Sequence, residues 1–370
     1  MAEVDLAALR KNVDVLAATV GPGVGILAVV KADAYGHGAL ACARALERKV
    51  WGFAVSLVEE GIELRRGGIE APIVVLGSFY GYSHRDVVAF RLTPVVSEES
   101  DVEKMARAVD EMAAPRLGLH LKVDTGMARL GVRLERLDAM LARIVATPGV
   151  ELTGLCSHLA SADGDDAAPS EEQLRRFAAA RARVSAAGLG TPLLHVANSA
   201  ATLRFAEARF DLVRPGLALY GYSPSAAAAY TGLLPALTLK SRIVALRDLP
   251  AGEPVSYGGS WRSPHPTRVA TVPIGYADGY TRRLSGKAEV LVGGRRCAVV
   301  GAITMDMCMV DVTNIDAKLG DEVVLLGTQG ADPSARIDAD ELARWSGTIS
   351  WEIFCGISKR VPRVYVGERW

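Results

Sequence analysis

Neither sign of charge is in excess in this sequence, and paired cysteines are absent. Its 42 Lys and Arg residues balance 42 Asp and Glu residues, so the formal net charge is zero. This balance leaves no electrostatic footprint for nucleic acid or an anionic membrane surface, and neither is an expected partner. Cys42, Cys156, Cys297, Cys308 and Cys355 are widely spaced and form no C-x-x-C pair. We expect reduced, mostly buried thiols in a cytoplasmic protein.

Long apolar runs are also missing. No run approaches the ~20 residues that a helix needs to span a bilayer. The segment from Met1 to Leu6 carries acidic residues and lacks the basic stretch and apolar core of a signal peptide. The chain has 370 residues, half of them hydrophobic, which is enough for two domains or for one large barrel with an appended module.

The first part of the chain alternates short apolar runs with helical patterns. Asp5 is placed to cap a helix whose apolar residues keep 3–4 spacing until Gly21. Apolar runs typical of strands buried on both faces lie at 26–30, 51–55, 72–76, 92–96, 117–123, 152–156, 193–196 and 212–219. Helical patterns lie between them at 100–112, 134–146 and 171–187. This alternation predicts an α/β fold, a (β/α)8 TIM-type barrel over residues 1–228.

The pattern changes after Tyr230. Short segments rich in Val, Ile and Thr, separated by Gly, Pro or Asp, lie at 238–246, 267–272, 288–292, 299–303, 308–312 and 322–326. One helix is expected at 338–346, and the Ser- and Ala-rich stretch from Ser223 is a candidate linker. We therefore predict a smaller, mainly β C-terminal domain over residues 229–370.

Polar residues follow several of the predicted barrel strands, where a parallel barrel places its site. They are Lys31, Asp124, His158, Asn198, Ser199 and Arg214 with Gly216. Lys31 comes directly after five apolar residues, so its amine is expected at the barrel mouth, partly desolvated and nucleophilic. The alternative is a lysine that extends its ammonium group into solvent.

The last two loops of the predicted barrel offer a phosphate site. They contain Asn198, Ser199, Arg214 and Gly216, and backbone N–H groups and hydroxyls of such loops bind phosphate in many barrels. Each loop alone is equally consistent with a plain turn or a helix cap. A lysine and a phosphate cradle on one barrel face together suggest pyridoxal 5'-phosphate (PLP), held by Lys31 as a Schiff base.

Eight short motifs in the sequence resemble those of the alanine racemase family. The likeness covers nearly the whole chain and falls in the same order along it. It comprises AVVKADAYGHG at 28–38, KVDTGMARLG at 122–131, HVANS at 195–199, RPGLALYG at 214–221, VSYG at 255–258, IGYADG at 274–279, MDM at 305–307 and RVPR at 360–363.

The resemblance implies a PLP-dependent isomerase that interconverts L-alanine and D-alanine and supplies D-alanine for peptidoglycan. It further implies a homodimer with shared active sites. Lys31 would act as the base on one face of the substrate, and Tyr257 of the partner subunit on the other. Such an arrangement suits a racemase because one base cannot easily serve both faces of a planar carbanion.

The resemblance also assigns supporting roles. Residues implied to bind the cofactor are Tyr35, His158, Asn198, Ser199, Arg214, Gly216 and Leu217. Arg214 would face the pyridine nitrogen in a hydrogen-bond chain that joins His158, His195 and Tyr257. Arg129 and Met305 would bind the substrate carboxylate, and Lys122 matches a position that the family carries as a carbamate. Asp306 and Tyr276 are support residues; Tyr276 also falls at the substrate entryway with Asp163, Arg282 and Arg363.

Some of these residues also have simpler interpretations. His195 could be a core histidine whose hydrogen bonds are satisfied, and Asp306 and Asp278 could stabilise turns. His37, in a loop between glycines, is expected to be structural. No metal site is expected.

The sequence departs from the family at two positions. Trp351 stands where the family usually has a tyrosine beside the substrate, and Ala302 where an arginine often lines the entryway. An indole donates one hydrogen bond but accepts none, and it is larger than a phenol. A broad-specificity amino-acid racemase on the same scaffold therefore remains the alternative to strict alanine specificity.

Two other function classes are disfavoured. A fold-related decarboxylase would place an acid at the pyridine nitrogen, where this sequence has Arg214. A single-barrel PLP carrier would lack the second domain that holds Tyr257 and Met305.

Overall fold

The structure, a computed structural model, describes residues 1–77, 79 and 83–367. The chain forms two compact units, which we call the barrel unit (residues 8–34 and 39–234) and the β unit (residues 1–7, 35–38 and 235–370). The division of the chain into two domains, 1–228 and 229–370, remains a prediction. The packing units differ from those ranges because the N-terminal strand pairs inside the β unit and because residues 223–234 pack within the barrel unit.

The barrel unit is a parallel sheet curled into a nearly closed barrel, as predicted. Among the described residues its eight strands are β1 (Gly25–Val29), β2 (Gly52–Val55), β3 (Ile73–Val75), β4 (Thr93–Val96), β5 (Leu117–Asp124), β6 (Val150–Cys156), β7 (Leu193–His195) and β8 (Leu212–Val213). Pairing runs in chain order from β1 to β7, and β8 pairs with β1. The backbone N–H of Arg214 donates to the carbonyl of Ala197 at 2.8 Å, which links the β7 and β8 edges.

Helices alternate with these strands and bury their apolar faces. They are α1 (Leu6–Val20), α2 (Ala39–Leu46), α3 (Val58–Arg66), α4 (Ser83–Ala89), α5 (Glu99–Glu111), α6 (Leu137–Ala146), α7 (Ala168–Ala186) and α8 (Ser199–Arg204). A short strand, Val132–Arg133, pairs with β5 outside the barrel order. The strands read as buried runs because helices on one side and the barrel interior on the other exclude water from both faces.

The eighth predicted strand is shorter than expected. The apolar run 212–219 forms a strand only at Leu212–Val213, and Leu217–Tyr220 forms a 3-10 turn. Pro215 lies between them and cannot donate to a ladder, so the strand ends and the chain turns across the barrel end. The strand prediction was wrong for the second half of this run.

A left-handed turn follows β1. Ala32, Asp33, Ala34 and Tyr35 have φ between 53° and 54°, a region that non-glycine residues rarely adopt. Within the barrel unit the turn is held by carboxylates: Glu60 accepts from the N–H of Ala32 at 2.6 Å, and Asp33 accepts from the N–H of Ala39 at 2.7 Å. These bonds offset the strain at the residues that come directly after Lys31.

The β unit is a mainly antiparallel sheet. Its strands are the N-terminal strand (Ala2–Asp5), β9 (Leu237–Arg242), β10 (Ala245–Leu249), β11 (Pro254–Val255), β12 (Trp261–Arg262), β13 (Thr267–Val272), β14 (Glu289–Val292), β15 (Arg295–Val300), β16 (Cys308–Asp311), β17 (Glu322–Thr328), β18 (Arg336–Ile337) and β19 (Arg363–Val366). Its helices are α9 (Ala339–Ser346) and α10 (Ser350–Gly356). The mainly β character predicted for this part is confirmed.

The order of the main β-unit sheet is β10–β13–β16–β15–β14–β17–β9, then the N-terminal strand, then β19. The N-terminal strand is antiparallel to β9 and parallel to β19. It therefore lies inside the sheet. No strand was predicted there from the sequence.

The cysteine prediction agrees with the structure. None of the five cysteines forms a disulfide bond; Cys42, Cys156, Cys297 and Cys308 are buried and Cys355 is exposed. In the described ranges, no helix is both long and apolar enough to cross a membrane.

Candidate active site

The C-terminal ends of the barrel strands collect the polar residues singled out from the sequence. Lys31 comes two residues after β1, and Lys122 lies near the end of β5. His158 follows β6, His195 ends β7, and Arg214 follows β8 directly. Because parallel barrel strands point the same way, these side chains belong to one end of the barrel.

Arg214 is the centre of this group and is almost fully buried. Its guanidinium donates to Nδ1 of His195 at 2.8 Å and meets Nδ1 of His158 at 3.2 Å. It also donates to the carbonyls of Ser157 and His195, both at 2.7 Å, and of Val196 at 3.2 Å. These acceptors are all neutral, so they fix the guanidinium without cancelling its charge.

The histidines around Arg214 are held neutral. Burial lowers the pKa of His158 to about 2, with the charge of Arg214 as the second cause. The same two causes hold the pKa of His195 well below its usual value. A neutral imidazole has one donor and one acceptor. Since the guanidinium can only donate, Nδ1 of each ring accepts and each proton sits on Nε2.

Ser199 joins the two loops that were expected to bind phosphate. Its Oγ accepts from the backbone N–H of Gly216 at 2.8 Å and of Ala218 at 3.2 Å. Its hydroxyl proton therefore points away from those amides and can be donated outward. Asn198 caps α8, accepting from the N–H of Ala201 at 3.0 Å. Leu217 follows Gly216 in the 3-10 turn and is buried.

Two further cations reach the same end of the barrel. Burial lowers the pKa of the Lys122 amine, and the positive charges of Arg214, Arg129 and Lys31 lower it further. Arg129 is exposed and lies after a turn in which Asp124 accepts from the N–H groups of Gly126, Met127 and Ala128. The site is thus rich in positive charge and suits an anionic ligand.

The sequence reasoning missed two buried polar residues here. His120, on β5, places Nδ1 at 2.9 Å from Nε2 of His195. Gln173, on α7, donates to Oγ1 of Thr125 at 3.1 Å and to the carbonyl of His158 at 2.9 Å. His120 has a signal in the sequence: it lies two residues before Lys122 and so shares its strand face. Gln173 has none beyond its place in a helical pattern.

The remaining singled-out residues belong to the β unit. Tyr257 is 74 % exposed and follows Ser256, whose φ is 66° and whose Oγ donates to the carbonyl of Ala302 at 2.6 Å. Met305 is also exposed, and Tyr35 is buried, with burial raising its pKa. Trp351 lies on α10 and is half-buried. Arg282 is exposed, whereas Arg363 donates to the carbonyls of Gly36, Ile357, Ser358 and Val361.

Tyr276 and Met305 lie on two loops that touch. The N–H of Tyr276 donates to the carbonyl of Thr304, and that of Ala277 to the carbonyl of Met305, both at 3.0 Å. Gly275 permits this approach, since a Cβ there would lie 2.3 Å from the oxygen of Thr304. Arg360 ties the loops together through Asp278 at 2.7 Å and Asp306 at 2.6 Å.

The residues singled out from the sequence divide between the two units. The barrel group holds Lys31, Lys122, Arg129, His158, Asp163, His195, Asn198, Ser199, Arg214, Gly216 and Leu217, with Asp163 exposed. The β-unit group holds Tyr35, Tyr257, Tyr276, Arg282, Met305, Asp306, Trp351 and Arg363. Within the described part of the chain, no three His, Cys, Asp or Glu side chains are grouped to hold a metal ion.

Comparison with known proteins gives full-length matches. The family model for the alanine racemase N-terminal domain matches residues 4–224, and that for the C-terminal domain matches residues 236–365. Alanine racemase from Sorangium cellulosum is 46% identical, covering 98% of this chain and 98% of its own. That from Geobacter sulfurreducens is 45% identical, covering 99% and 97%.

Solved structures agree with these matches. Alanine racemase from Streptomyces coelicolor A3(2) superposes with a TM-score of 0.93 at 38% identity, covering 99% of this chain and 98% of that one. The Bacillus anthracis alanine racemase with bound L-Ala-P superposes with a TM-score of 0.90 at 36% identity, covering 99% and 95%.

Proposed function

This chain belongs to the alanine racemase family, and on that premise we propose that it is a PLP-dependent enzyme with a two-base mechanism. The reaction is the interconversion of L-alanine and D-alanine, which makes the protein an isomerase. The observation that carries the finer proposal is the barrel group: a lysine at the strand ends beside a buried arginine whose acceptors are all neutral.

The donor set of the barrel group fits PLP. Ser199 Oγ offers its proton, and the Gly216 and Leu217 segment beside it supplies backbone for a phosphate. Lys31 would hold the cofactor aldehyde, while Tyr35, His158 and Asn198 complete the binding set. Arg214 would face the pyridine nitrogen. When bound, PLP withdraws electrons from the substrate Cα and so makes its proton removable.

Arg214 would restrain how far that withdrawal goes. A guanidinium has an unperturbed pKa above ~12 and gives up its proton poorly, so Arg214 would not transfer a proton to the pyridine nitrogen. Arg214 would thereby favour simple proton exchange over transamination or decarboxylation. The neutral acceptors of Arg214 matter here because carboxylates would cancel the charge that Arg214 directs at the ring.

The two proton-transfer atoms would be Lys31 Nζ on one face and Tyr257 Oη of the partner subunit on the other. The His158 tautomer supports this pairing, since its Nε2–H is available to donate to a phenolate. Tyr257 is exposed in the single chain, as expected of a side chain that completes a neighbour's site. We therefore propose a homodimer with shared active sites.

Arg129 and Met305 are proposed to bind the substrate carboxylate. Lys122 is proposed to react with carbon dioxide to form a carbamate, releasing one proton. The lowered pKa of its amine increases the neutral, nucleophilic fraction, and a carbamate would add negative charge among Lys31, Arg129 and Arg214. In that form Lys122 would orient Arg129.

The proposed role is supply of D-alanine for peptidoglycan, in the cytoplasm. Trp351 leaves one alternative in place: its bulk can close the pocket around alanine, or a displaced indole can open it to larger amino acids. Tyr276, Asp163, Arg282 and Arg363 are proposed to line the entryway.

Chiral analysis of PLP-loaded protein tests the proposal directly. The protein is incubated separately with L-alanine, L-serine, L-lysine and L-arginine, with Lys31→Ala as the inactive variant and Lys318→Ala, an exposed lysine, as its control. Rapid D-alanine formation by wild type and by Lys318→Ala, but not by Lys31→Ala, supports the proposal. Comparable turnover of the larger amino acids would favour the broad-specificity alternative, and no turnover of alanine would refute the assignment.

Mixing two inactive variants tests the shared sites. In a dimer of Lys31→Ala with Tyr257→Phe, one of the two sites would contain both wild-type bases, so part of the activity should return. Absence of recovery in mixed dimers that have been isolated as such would refute sharing. Tyr257→Phe alone should slow solvent proton exchange on one face only, seen as unequal deuterium incorporation in the two directions.

A further inference from the structure

His120 is a buried side chain to which the proposed function gives no role. It lies on β5 and is 1 % exposed. Its Nδ1 is 2.9 Å from Nε2 of His195, and the two ring centroids are 4.9 Å apart. His195 therefore links His120 to Arg214 through two successive hydrogen bonds.

Arg214 determines the direction of both hydrogen bonds that connect it to His120 through His195. The guanidinium only donates, so Nδ1 of His195 accepts and its proton sits on Nε2. That proton is donated to Nδ1 of His120, which must accept and therefore carries its own proton on Nε2. Both rings have to be neutral for this, and burial, then the charge of Arg214, lower the pKa of His120 to about 4.

The barrel wall is shaped to admit this imidazole. Leu119 pairs with Leu152 but His120 pairs with Gly154, so Thr153 is an extra residue on β6. A bulge of this kind re-aims the neighbouring side chains. A Cβ on Gly154 would lie 2.3 Å from Cγ and Cδ2 of His120, so any larger residue would displace the ring. Thr153 Oγ1 donates to the carbonyl of Leu119 at 3.2 Å, which satisfies a group at the bulge.

We propose that His120 is a positioning residue that holds His195 in the one tautomer able to accept from Arg214, and thereby fixes Arg214 against the cofactor ring. The inference rests on the proposed function for the cofactor, but the tautomer itself is a property of the protein alone. His120 touches no reacting atom in this scheme and acts only through His195.

Loss of the acceptor at position 120 leaves the Nε2–H of His195 buried without a partner. The ring then gains by moving its proton to Nδ1 or by rotating, and either change sets a donor against the Arg214 guanidinium. Arg214 keeps its carbonyl acceptors, so it stays in the site but shifts. We therefore expect a defect in turnover and in the cofactor spectrum, with little effect on substrate binding.

The first measurement is ¹⁵N NMR of the imidazole nitrogens in histidine-labelled protein without cofactor. The sequence has six histidines, so single substitutions assign the signals. In wild type, His195 and His120 should both be neutral and protonated on Nε2. In His120→Phe the His195 signals should change, and in His120→Asn, whose Oδ1 replaces the accepting Nδ1, they should stay as in wild type. A wild-type His195 that is charged or protonated on Nδ1 would overturn the proposal.

Kinetics of the PLP-loaded protein provide the second measurement. His120→Phe should lower kcat roughly 5- to 10-fold, the effect of one lost buried hydrogen bond, with KM changed less than about 2-fold. It should also shift the absorption band of the bound cofactor. Gly154→Ala should act in the same direction by displacing the ring, and His120→Asn should restore most of the turnover.

His84→Phe is the matched control, since it replaces a buried histidine of the same unit that contacts Asp101 instead. It should leave kcat and the cofactor band unchanged. Equal kinetic losses in His84→Phe and His120→Phe would show a merely structural effect and overturn the proposal. If His120→Phe fails to fold, the kinetics of Gly154→Ala and the wild-type tautomers seen by NMR test the proposal instead. Failure of wild type to racemise alanine refutes the proposed function instead, and leaves the NMR result standing.

Discussion

Arg214 in the barrel unit and Arg360 in the β unit are held in opposite ways. Arg214 is buried and bound by imidazole nitrogens and backbone carbonyls. Arg360 is exposed and bound by the carboxylates of Asp278 and Asp306. Neutral acceptors orient a cation and leave its positive charge free to act on a bound ligand, whereas carboxylates neutralise that charge. The first arrangement suits an electrostatic task at a cofactor, and the second a mechanical task, that of joining two loops.

Removing Arg214 should have the largest effect. Arg214→Leu removes the guanidinium donor from the buried carbonyls of Ser157, Val196 and His195, although the carbonyl of His195 keeps the N–H of Ser157 at 3.3 Å. We therefore expect the free energy of unfolding to fall by about 3 kcal/mol. Turnover should fall on the order of 10²-fold, the scale for losing a preorganised charge. Urea unfolding and steady-state kinetics measure both. Arg360→Leu is the control, and a loss as large as that of Arg214→Leu would contradict the distinction between the two arginines.

Acid should act mainly through the histidines around Arg214. Their pKa values are depressed in the folded chain, to about 4 for His120 and about 2 for His158, against about 6.5 when unfolded. As the pH falls below about 6.5 the unfolded chain binds protons first, so stability is lost by about 1.4 kcal/mol per pH unit for each histidine. Urea unfolding at about pH 7, 6 and 5 gives the slope.

The variant His120→Phe sharpens this test. It removes one depressed histidine, so its slope between about pH 6.5 and pH 4 should be smaller than that of wild type by about 1.4 kcal/mol per pH unit. His265→Phe, which replaces an exposed histidine of the β unit, should keep the wild-type slope. Identical slopes in all three proteins would mean that His120 is not held neutral.

Removing Arg360 should have a smaller effect, directed at substrate. Arg360→Ala releases the loops that carry Tyr276 and Met305, so KM for alanine should rise about threefold while kcat stays within about twofold. Steady-state kinetics at several alanine concentrations separate the two constants. Arg295→Ala, which changes an exposed arginine elsewhere in the same unit, should leave both unchanged. A loss confined to kcat would contradict the loop role.

Salt should give the smallest difference. The Debye length falls from about 10 Å at 0.1 M to about 3 Å at 1 M, which weakens exposed ion pairs far more than buried contacts. Raising the salt from about 0.1 M to about 1 M should therefore shrink the KM difference between wild type and Arg360→Ala. The kcat difference between wild type and Arg214→Leu should persist. If salt reduced both differences equally, the contrast between the exposed Arg360 and the buried Arg214 would be contradicted.

Patterns that depend on local periodicity were readable from the sequence. Seven of the apolar runs ended within two residues of the observed strands, because a strand buried on both faces has to be continuously apolar. The position of Lys31 after such a run placed it at the barrel end by the same logic. The catalytic roles of Lys31 and Arg214 came from family motifs and remain proposals.

Features set by long-range pairing were not readable. The N-terminal strand lies between β9 and β19, partners more than 200 residues away in the sequence. The left-handed turn at Ala32–Tyr35 runs against the preferences of its own residues and depends on Glu60. The bulge at Thr153, which places Gly154 opposite His120, cannot be recognised from the periodicity of the sequence.

Borohydride reduction followed by peptide mass mapping tests whether Lys31 is the lysine that holds the cofactor. Reduction makes the bond between cofactor and lysine permanent, so the modified residue can be identified in wild-type protein without any mutation. We expect a single modified lysine, Lys31, and no label on Lys122, which belongs to the same barrel group. Label on Lys122 or on any other lysine would contradict the assignment on which the whole site is built.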